Sequence, residues 1–324
     1  MVLEAIYVVR HGYRSNWSVD PLSGTYSSNI PSPTGIVADP ALSGYGVKQA
    51  EQLGEHLLAL DPPVDLIYSS PFYRCLQTLK PFTTAQAARK PIRINLEPGV
   101  GEFYGLARFD HPSPADKTEL DRHFEHLHAS IPPSIVPSTK GESIPQLHDR
   151  VAYALKQLID QADKDPNGPK TLLICTHAAV MIAIGRVLTG RMPEDEGEDD
   201  FNCFTCSFSK YVRRRKEGGE ALTNGVHDHA IWSADKSEDV PDVGWRGGKG
   251  VAGGWDCEIN GDCSFLEGGE ERGWHFSGDE SFLTDPNAFN DAQNEAKESG
   301  DDVGGNLADK GVQEDKDRNR HSRL

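Results

Sequence analysis

Two apolar runs rich in β-branched residues, far apart in the chain, each stop at a histidine. The run at 6–9 ends in Arg10-His11-Gly12, and the run at 171–175 ends in Thr176-His177-Ala178. Runs of this length and composition predict buried strands. Open α/β sheets bind ligands beyond the carboxyl ends of their strands. The two histidines are therefore predicted to meet at one edge of a single sheet, in a ligand site.

Strand-like and helix-like segments alternate along the chain between these two runs. Further strands are predicted at 64–68 and 92–96, and helices are predicted at 42–60 with Ser43 as the N-cap, 72–88, 143–162 and 178–189. Alternation of this kind favours an α/β fold. We expect a three-layer α/β/α sandwich with a mostly parallel central sheet.

The chain of 324 residues is long enough for one domain with a full α/β core and a tail. We predict that the domain covers 1–235. Within it, the polar segment 15–41 is expected to form a lid-like loop over the site, because long loops in compact domains are usually functional or disordered. Residues 105–140, rich in Pro and His, are expected to be an irregular insertion with a short helix at 120–128.

The C-terminal third has a different composition. Residues 203–213 alternate apolar and polar side chains and predict an edge strand, with Ala230-Ile231-Trp232 as a candidate partner. Residues 236–286 are rich in Gly and contain several Trp and Phe, which predicts an irregular extension that wraps the domain. Residues 287–324 are polar and charged, so a disordered tail is expected there.

The formal charge of −17 bears on the choice of partners. It argues against direct binding of nucleic acid or of an anionic membrane surface, since both select basic patches. An anionic substrate would have to be attracted by a local cluster of arginines. No apolar stretch approaches the ~20 residues of a membrane span, and the N-terminus lacks the pattern of a signal peptide. The six scattered cysteines are expected to be reduced, in a cytoplasmic or nuclear protein.

Six short elements follow one another in a fixed order that resembles a known family. They are Arg10-His11-Gly12, Leu42-Ser43-x-x-Gly46-x-x-Gln49-Ala50, Ser69-Ser70-Pro71-x-x-Arg74-x-x-Gln77-Thr78, Glu102, Gly141-Glu142-Ser143 and Thr176-His177-Ala178. Together they resemble the histidine phosphatase, or phosphoglycerate-mutase-like, superfamily over residues 1 to about 215. The resemblance implies phosphoryl transfer through a phosphohistidine.

Two further features resemble subgroups of that superfamily. Arg14 and Glu97-Pro98-Gly99 are similar to the phosphatase domain of the suppressor-of-T-cell-receptor-signalling proteins, which implies action on phosphotyrosine. The segment Gly268-Gly269-Glu270-Glu271-Arg272-Gly273-Trp274 resembles fungal members, one of which is the phosphatase-like subunit of RNA polymerase III transcription factor C. This second resemblance implies a possible partner in a transcription complex.

The chemistry of the candidate residues suits phosphoryl transfer independently of the family resemblance. A neutral imidazole at His11 can attack phosphorus and hold the phosphoryl group. Arg10, Arg14 and Arg74 would supply guanidinium groups that match phosphate oxygens, and His177 would supply another donor. Because such a cluster can stabilise the transferring charge, neither a metal nor a cofactor is expected.

Two glutamates are candidates for the acid of the site. The resemblance implies that Glu102 protonates the leaving oxygen and later activates water. Glu97 is the alternative acid, although it can equally cap the end of a strand. Gly12 is expected to permit close approach of the backbone to the phosphate, and Ser143 is expected to cap its helix.

Two further features, a group of cysteines and a basic run, have simpler explanations than a binding site. Cys203 and Cys206, with Cys257 and Cys263, have the composition of a zinc site. A C-x-x-C pair on an alternating strand would place its sulfurs on opposite faces, which disfavours shared ligation. The basic run 213–216 is interpreted as a solvated strand end.

The sequence therefore predicts a metal-independent phosphomonoester hydrolase that acts on a phosphorylated small molecule or phosphoprotein, with phosphotyrosine or another aryl phosphate favoured. The main alternative is a non-catalytic or dual-role scaffold subunit of the polymerase III factor. The lesser alternative is a phosphoglycerate or phosphosugar mutase or phosphatase, which the open loop at 15–41 disfavours.

Overall fold

The computed structural model describes residues 2–128, 131–165, 168–216, 221–222, 230–236, 239–278 and 280–283. The segment predicted to be a disordered tail, 287–324, lies outside the described residues. The division of the chain at 235 stays a prediction.

The described residues contain eight strands, which form two sheets. They are β1 Ala5–Arg10, β2 Trp17–Val19, β3 Tyr26–Ser28, β4 Leu66–Ser69, β5 Ile94–Leu96, β6 Thr171–Thr176, β7 Phe208–Arg213 and β8 Trp255–Asp262. The main sheet has the order β5-β4-β6-β1-β7-β8, and β2 pairs with β3 in a separate hairpin. Strands β5, β4, β6 and β1 are parallel, whereas β7 and β8 are antiparallel to their neighbours. The parallel strands bring their carboxyl ends to one edge.

In the part of the chain that the structure describes, five α-helices are connected to these strands. They are α1 Gly44–Leu58, α2 Tyr73–Ala87, α3 Lys117–Leu120, α4 Ile144–Lys164 and α5 Ala178–Thr189. Ser43 caps α1 by accepting a hydrogen bond from the backbone N–H of Gly46. Ser143 caps α4 in a capping box with Gln146. Both serines therefore have the capping role expected of them.

The central strand β1 shows why the fold has three layers. Successive side chains of a strand point to opposite faces of its sheet. Ile6 and Val8 are fully buried with the apolar faces of α4 and α5. Tyr7 and Val9 are fully buried on the other face, with the apolar residues of α1 and α2. Each such side chain contributes about 1.5–3 kcal/mol to folding, and the predicted α/β/α sandwich is confirmed.

The edge of the sheet differs from the prediction. The strand predicted at 203–213 begins at Phe208, and it is an inner strand because β8 pairs with its outer side. Residues 230–232 do not pair with it; the backbone N–H of Trp232 instead donates to the hydroxyl of Tyr153 at 2.9 Å. The Gly-rich extension is therefore more than a wrapping coil, since it supplies the outermost strand of the sheet.

Two predicted loops also contain local structure. The segment 15–41 includes the β2–β3 hairpin, whose Trp17 and Val19 are buried with Tyr104 and Phe282. In the insertion, the helix is α3 at 117–120 rather than at 120–128, because Asp116 caps it by accepting from the backbone N–H of Glu119. Short Ser- and Pro-rich segments hide such elements from periodicity arguments.

The C-x-x-C pair lies in a turn before β7, not on an alternating strand as predicted. Cys206 has a left-handed backbone with φ of 56°, and both cysteines are buried. All six cysteines are free thiols. Within the described ranges, no helix has both the length and the apolar character that crossing a membrane would require.

Candidate active site

His11 follows β1 directly and is almost fully buried, with 3% of its surface exposed. Its Nδ1 lies 2.9 Å from the carbonyl oxygen of Gly12. A carbonyl can only accept, so Nδ1 carries the proton and Nε2 keeps a lone pair. Burial, together with the positive charges of Arg74 and its neighbours, lowers the pKa of His11 well below its usual value. The ring is therefore a neutral imidazole with a nucleophilic nitrogen.

Gly12 makes the turn after His11 fit against α1. A Cβ atom at this position would lie 2.9 Å from the carbonyl oxygen of Gly46 and 3.1 Å from the Cys206 sulfur. Packing against α1 therefore requires this glycine, and the close approach of its backbone to a phosphate stays a prediction. The side chain of Gln49 fixes the same turn by accepting from the backbone N–H of Tyr13 at 2.9 Å.

Two arginines of the site are held by main-chain carbonyls. Nη1 of Arg10 donates to the carbonyl oxygens of Cys203 at 2.7 Å and Arg272 at 2.5 Å. Nη1 of Arg14 donates to the carbonyl oxygen of Ser15 at 3.0 Å. Among residues with described positions, neither guanidinium has a carboxylate within ion-pair distance. Burial, and the repulsion between the arginines, lower the pKa of both, so two positive charges are held ready for an anion.

Arg74, in contrast, is already paired with carboxylates. It lies at the start of α2, is fully buried, and donates from Nη1 to Asp39 at 2.9 Å and from Nη2 to Glu102 at 2.7 Å. Asp39 also accepts from the backbone N–H of Tyr73 at 2.7 Å, which caps α2. Asp39 was missed in the sequence because it lies in a polar loop with no periodicity.

His177, at the end of β6, completes the inner wall. Its Nδ1 lies 3.1 Å from Glu102, its Nε2 lies 2.7 Å from the hydroxyl of Ser70, and its ring centroid lies 5.3 Å from that of His11. Burial acts to lower the pKa of His177, but the nearby sulfur of Cys75 and the Glu102 carboxylate outweigh it and raise the pKa. The two histidines thus differ in charge preference although they are neighbours.

Glu102 contacts both Arg74 and His177. The turn before it is fixed from both sides, since Arg150 of α4 donates to the carbonyl oxygens of Gly99 at 2.9 Å and Gly101 at 3.3 Å. The hydroxyl of Thr176 donates to the carbonyl oxygen of Val100 at 2.7 Å. These bonds hold Glu102 at the carboxyl edge of the sheet.

The charge state of Glu102 follows from its neighbours. Burial acts to raise its pKa, but His177 and Arg74 lower the pKa of Glu102 well below its usual range. The resting group is therefore a carboxylate. Glu97 lies elsewhere: it is buried and accepts from the backbone N–H groups of Gly99 at 2.8 Å and Ser134 at 3.0 Å, which fits its capping interpretation.

Only some of the site residues predicted from the sequence line an open pocket. Arg10, His11, Arg14 and Glu102 line it, whereas Arg74 and His177 are fully buried and contact Glu102 from behind. Arg272 and Trp274 also line the pocket, and sequence reasoning gave them no role. The signal that could have found them is the segment 268–274, which carries the resemblance to fungal proteins.

The structure also brings together a group with metal-ligand spacing. One donor atom each from His11, Glu102 and His177 lies within 4.8 Å of the others. The cations of Arg10, Arg14 and Arg74 surround this group and oppose a further positive charge. The expectation of a metal-free site stays a prediction.

Comparisons with known proteins agree with this geometry. Residues 6–224 match the model of the histidine phosphatase superfamily (branch 1). The transcription factor tau 55 kDa subunit of Saccharomyces cerevisiae is 33% identical over 282 residues, which cover 85% of this chain and 59% of that protein. The ecdysteroid-phosphate phosphatase of Drosophila melanogaster is 28% identical over 222 residues, which cover 60% of this chain and 28% of that protein.

A solved structure shows the same fold. The ecdysone phosphate phosphatase of Bombyx mori, in complex with tungstate, has a TM-score of 0.52 and 18% sequence identity, and the match covers 71% of this chain and 96% of that one. The chain spans about three fifths of the length of the yeast relative and less than a third of the Drosophila protein. The family match covers well over half of the chain, and the protein belongs to the histidine phosphatase superfamily.

Proposed function

We propose that this protein hydrolyses phosphomonoesters through a phosphohistidine on His11. The observation that carries the proposal is the state of that ring: Nδ1 is held by the Gly12 carbonyl and Nε2 is free in the pocket. Nε2 attacks phosphorus as the bond between phosphorus and the ester oxygen breaks; a phenol leaves as the phenoxide, and an alcohol leaves with a proton from the protonated form of Glu102. Water then cleaves the N–P bond and releases phosphate, which returns His11 to its starting form.

The arginines provide the charge stabilisation that this step needs. The transferring phosphoryl group spreads negative charge over its oxygens, and preorganised donors lower the barrier. The Nε atoms of Arg10, Arg14 and Arg74 are buried and have no hydrogen-bond partner in the described part of the chain. A phosphate in the pocket would supply acceptors to the guanidinium groups of Arg10 and Arg14, which line it, while Arg74 stays paired with Asp39 and Glu102. These two arginines therefore supply the stabilisation without a metal or cofactor.

The ionised state of Glu102 bears on the class of substrate. A carboxylate is the correct form for activating the water of the second step. Only the minor protonated form of Glu102 can donate a proton to a leaving oxygen in the first step. Leaving groups with a low pKa need little protonation, which favours phosphotyrosine and other aryl phosphates over alkyl phosphates.

The test is turnover of p-nitrophenyl phosphate by the parent protein and by His11→Ala. We expect the variant to lose at least about 10⁴-fold in kcat, and we expect an acid-labile phosphate on His11 of the parent after rapid quench. His123→Ala is the control, because His123 pairs with Glu119 at the surface, 3.3 Å away. Normal turnover by His11→Ala, or an adduct on another residue, would overturn the proposal.

A second candidate function is a subunit role in a complex of the transcription factor C type. It is supported by the 33% identity with the yeast tau subunit across most of this chain, and it would place the protein in the nucleus. A scaffold would bind its partners equally well with His11→Ala. Affinity purification of the parent and the variant, with mass spectrometry of the bound proteins, separates this role from catalysis.

A further inference from the structure

The segment 268–278, here called the strap, adds a wall to the pocket from outside the family match, which ends at 224. The strap is held against the domain by two contacts of Glu271. Its carbonyl oxygen accepts from the backbone N–H of Thr205, and its side chain accepts from Nε2 of Gln49, both at 3.0 Å. The strap is therefore docked at a fixed position beside the phosphate-binding residues.

Arg272 is the strap residue that faces the pocket with a charge. Its guanidinium lies over the ring of Tyr13, 4.1 Å from the centroid. Its Nη2 donates to the Tyr13 hydroxyl at 2.5 Å, and its Nη1 donates to Oδ1 of Asn16 at 2.9 Å. These neutral partners orient the guanidinium without cancelling its charge.

The charge of Arg272 has no counterion among the described residues, although the whole chain has a formal charge of −17. Arg246 is an instructive contrast. It also lies over an aromatic ring, that of Trp245 at 4.5 Å, but it is paired with Asp149 at 2.6 Å. A guanidinium has five N–H donors, and the bonds of Arg272 to Tyr13 and Asn16 use two of them. The remaining donors can bind an anion.

The backbone of Arg272 links this residue to the phosphate site. Its φ is 49°, in the left-handed region that non-glycine residues rarely adopt and that is found more often at functional sites. In this conformation the carbonyl oxygen of Arg272 accepts from Arg10, at 2.5 Å, while the side chain reaches Tyr13. One residue thus positions a phosphate-binding arginine and presents a second cation beside it.

We propose that Arg272 binds a second anionic group of the molecule that carries the phosphate. The phosphoryl group already has Arg10 and Arg14, so the cation of Arg272 is available for a carboxylate or a second phosphate. This selects a phosphomonoester with another acidic group close to the ester. The inference rests on the proposed function for its turnover, but the binding preference can be measured without turnover.

The experiment uses matched substrates that differ in one charge. The first pair is 3-carboxyphenyl phosphate and 3-carbamoylphenyl phosphate, and the second is a phosphotyrosine peptide with a neighbouring Glu or a neighbouring Gln. We expect the parent to prefer the acidic member by about tenfold or more in kcat/KM, as for one charge-assisted hydrogen-bonded pair. Preference within the first pair alone would identify small molecules as the source, and preference within the second alone would identify acidic phosphopeptides.

Three variants assign this preference to a residue. Arg272→Asn tolerates a left-handed backbone and should lose the preference, because its kcat/KM should fall about tenfold more on the acidic member than on the neutral member of each pair. Arg272→Lys keeps the charge but not the fork, and should retain part of the preference. Arg246→Asn, the control, should keep all of it. Absence of a preference in the parent, or equal losses by Arg272→Asn on both members, would overturn the inference.

Calorimetry with 3-carboxybenzylphosphonate and 3-carbamoylbenzylphosphonate separates this inference from the proposed function. These analogues bind without hydrolysis. A parent that binds the acidic analogue more tightly, but hydrolyses neither substrate pair, would overturn the proposed function and leave the role of Arg272 supported. A parent that hydrolyses phosphotyrosine without any charge preference in either assay would do the opposite.

Discussion

The front and the rear of the pocket hold their positive charges in different ways. In front, Arg10 and Arg14 are fixed by the carbonyl oxygens of the main chain. At the rear, Arg74 is fixed by Asp39 and Glu102. A carbonyl orients a guanidinium but leaves its charge, whereas a carboxylate cancels it. The comparison teaches that the front is organised to receive an anion and the rear is organised to be stable without one.

This difference predicts separate effects of substitution. Removing a front cation should reduce catalysis and relieve repulsion among the arginines in the free protein. Removing a rear carboxylate should leave a buried charge without its partner, which destabilises the fold. Measurements of activity and stability on the same variants can break or sharpen the comparison.

Among the changes that separate the front from the rear, Arg14→Ala has the largest expected effect. We expect kcat/KM for p-nitrophenyl phosphate to fall by about 10²–10³-fold, as when one preorganised donor is lost from the transition state. The free energy of unfolding in urea should change by less than about 1 kcal/mol, because no carboxylate is left unpaired. A large loss of stability with little loss of activity would contradict the assignment of Arg14 to the front.

Asp39→Asn should show the reverse pattern. Asp39 and Arg74 are both fully buried, and removing one partner of such a pair typically costs about 3–5 kcal/mol. We expect a loss near the lower limit in urea unfolding, because Arg74 keeps its bond to Glu102. Asp121→Asn, which breaks the exposed pair with Lys117, should change stability by less than about 1 kcal/mol. Equal stability of the two variants would remove the distinction between front and rear.

Residues at strand ends were easier to predict from the sequence than residues in loops. Arg10 ends β1 and His11 follows it, and the end of a contiguous apolar strand fixes where the next residues lie. His177 was found in the same way. Asp39 was not found, because its partner Arg74 is brought to it only by the packing of a loop against α2, and a loop without periodicity carries no local signal of that contact.

The strap and β8 could not be predicted from local sequence patterns either. The sequence of β8, Trp255–Asp262, contains charged residues and Gly261 with φ of 68°, so it does not resemble a buried strand. The carbonyl oxygen of Arg272 accepts from Arg10, although the two residues are 262 positions apart in the sequence. Only the folded chain places Arg10 and Arg272 in one pocket, although the resemblance of the 268–274 segment to fungal proteins marked that segment as unusual.

Glu102 belongs to both the front and the rear, because it lines the pocket and pairs with Arg74. Its substitution should therefore affect catalysis in a way that depends on the substrate. Glu102→Gln removes the carboxylate that activates water and can later carry a proton. We expect hydrolysis of an alkyl phosphate such as glycerol 2-phosphate to fall at least about tenfold more than that of p-nitrophenyl phosphate, since only the poor leaving group needs full protonation. Equal losses on both substrates would exclude an acid function for Glu102 in the first step and leave its role in the second step, which all substrates share.

A smaller effect is expected from pH. The pKa of His11 is lowered well below its usual value, so the neutral nucleophile persists as pH falls and is lost only below that depressed pKa. From about pH 8 to about pH 5.5, kcat/KM should change by less than about threefold, after correction for the second ionisation of the substrate. A histidine with an ordinary pKa would lose about tenfold over the same range. A protonation of His11 near the ordinary value would contradict the lowered pKa that burial and the neighbouring positive charges give this ring.

The smallest effect is expected from chelators. Chelation tests whether His11, Glu102 and His177 bind a metal. The spacing of His11, Glu102 and His177 allows a metal, and two histidines with one carboxylate are a known ligand set. Against this, Arg74 donates to the same Glu102 oxygen that lies near His177, so a metal would have to displace a guanidinium from a buried ion pair. We expect EDTA treatment followed by gel filtration to change turnover by less than about twofold, since the arginines already supply the charge that a metal would bring. Loss of activity that added Zn²⁺ or Mn²⁺ restores would contradict this, and would make Glu102 and His177 ligands instead of partners of Arg74.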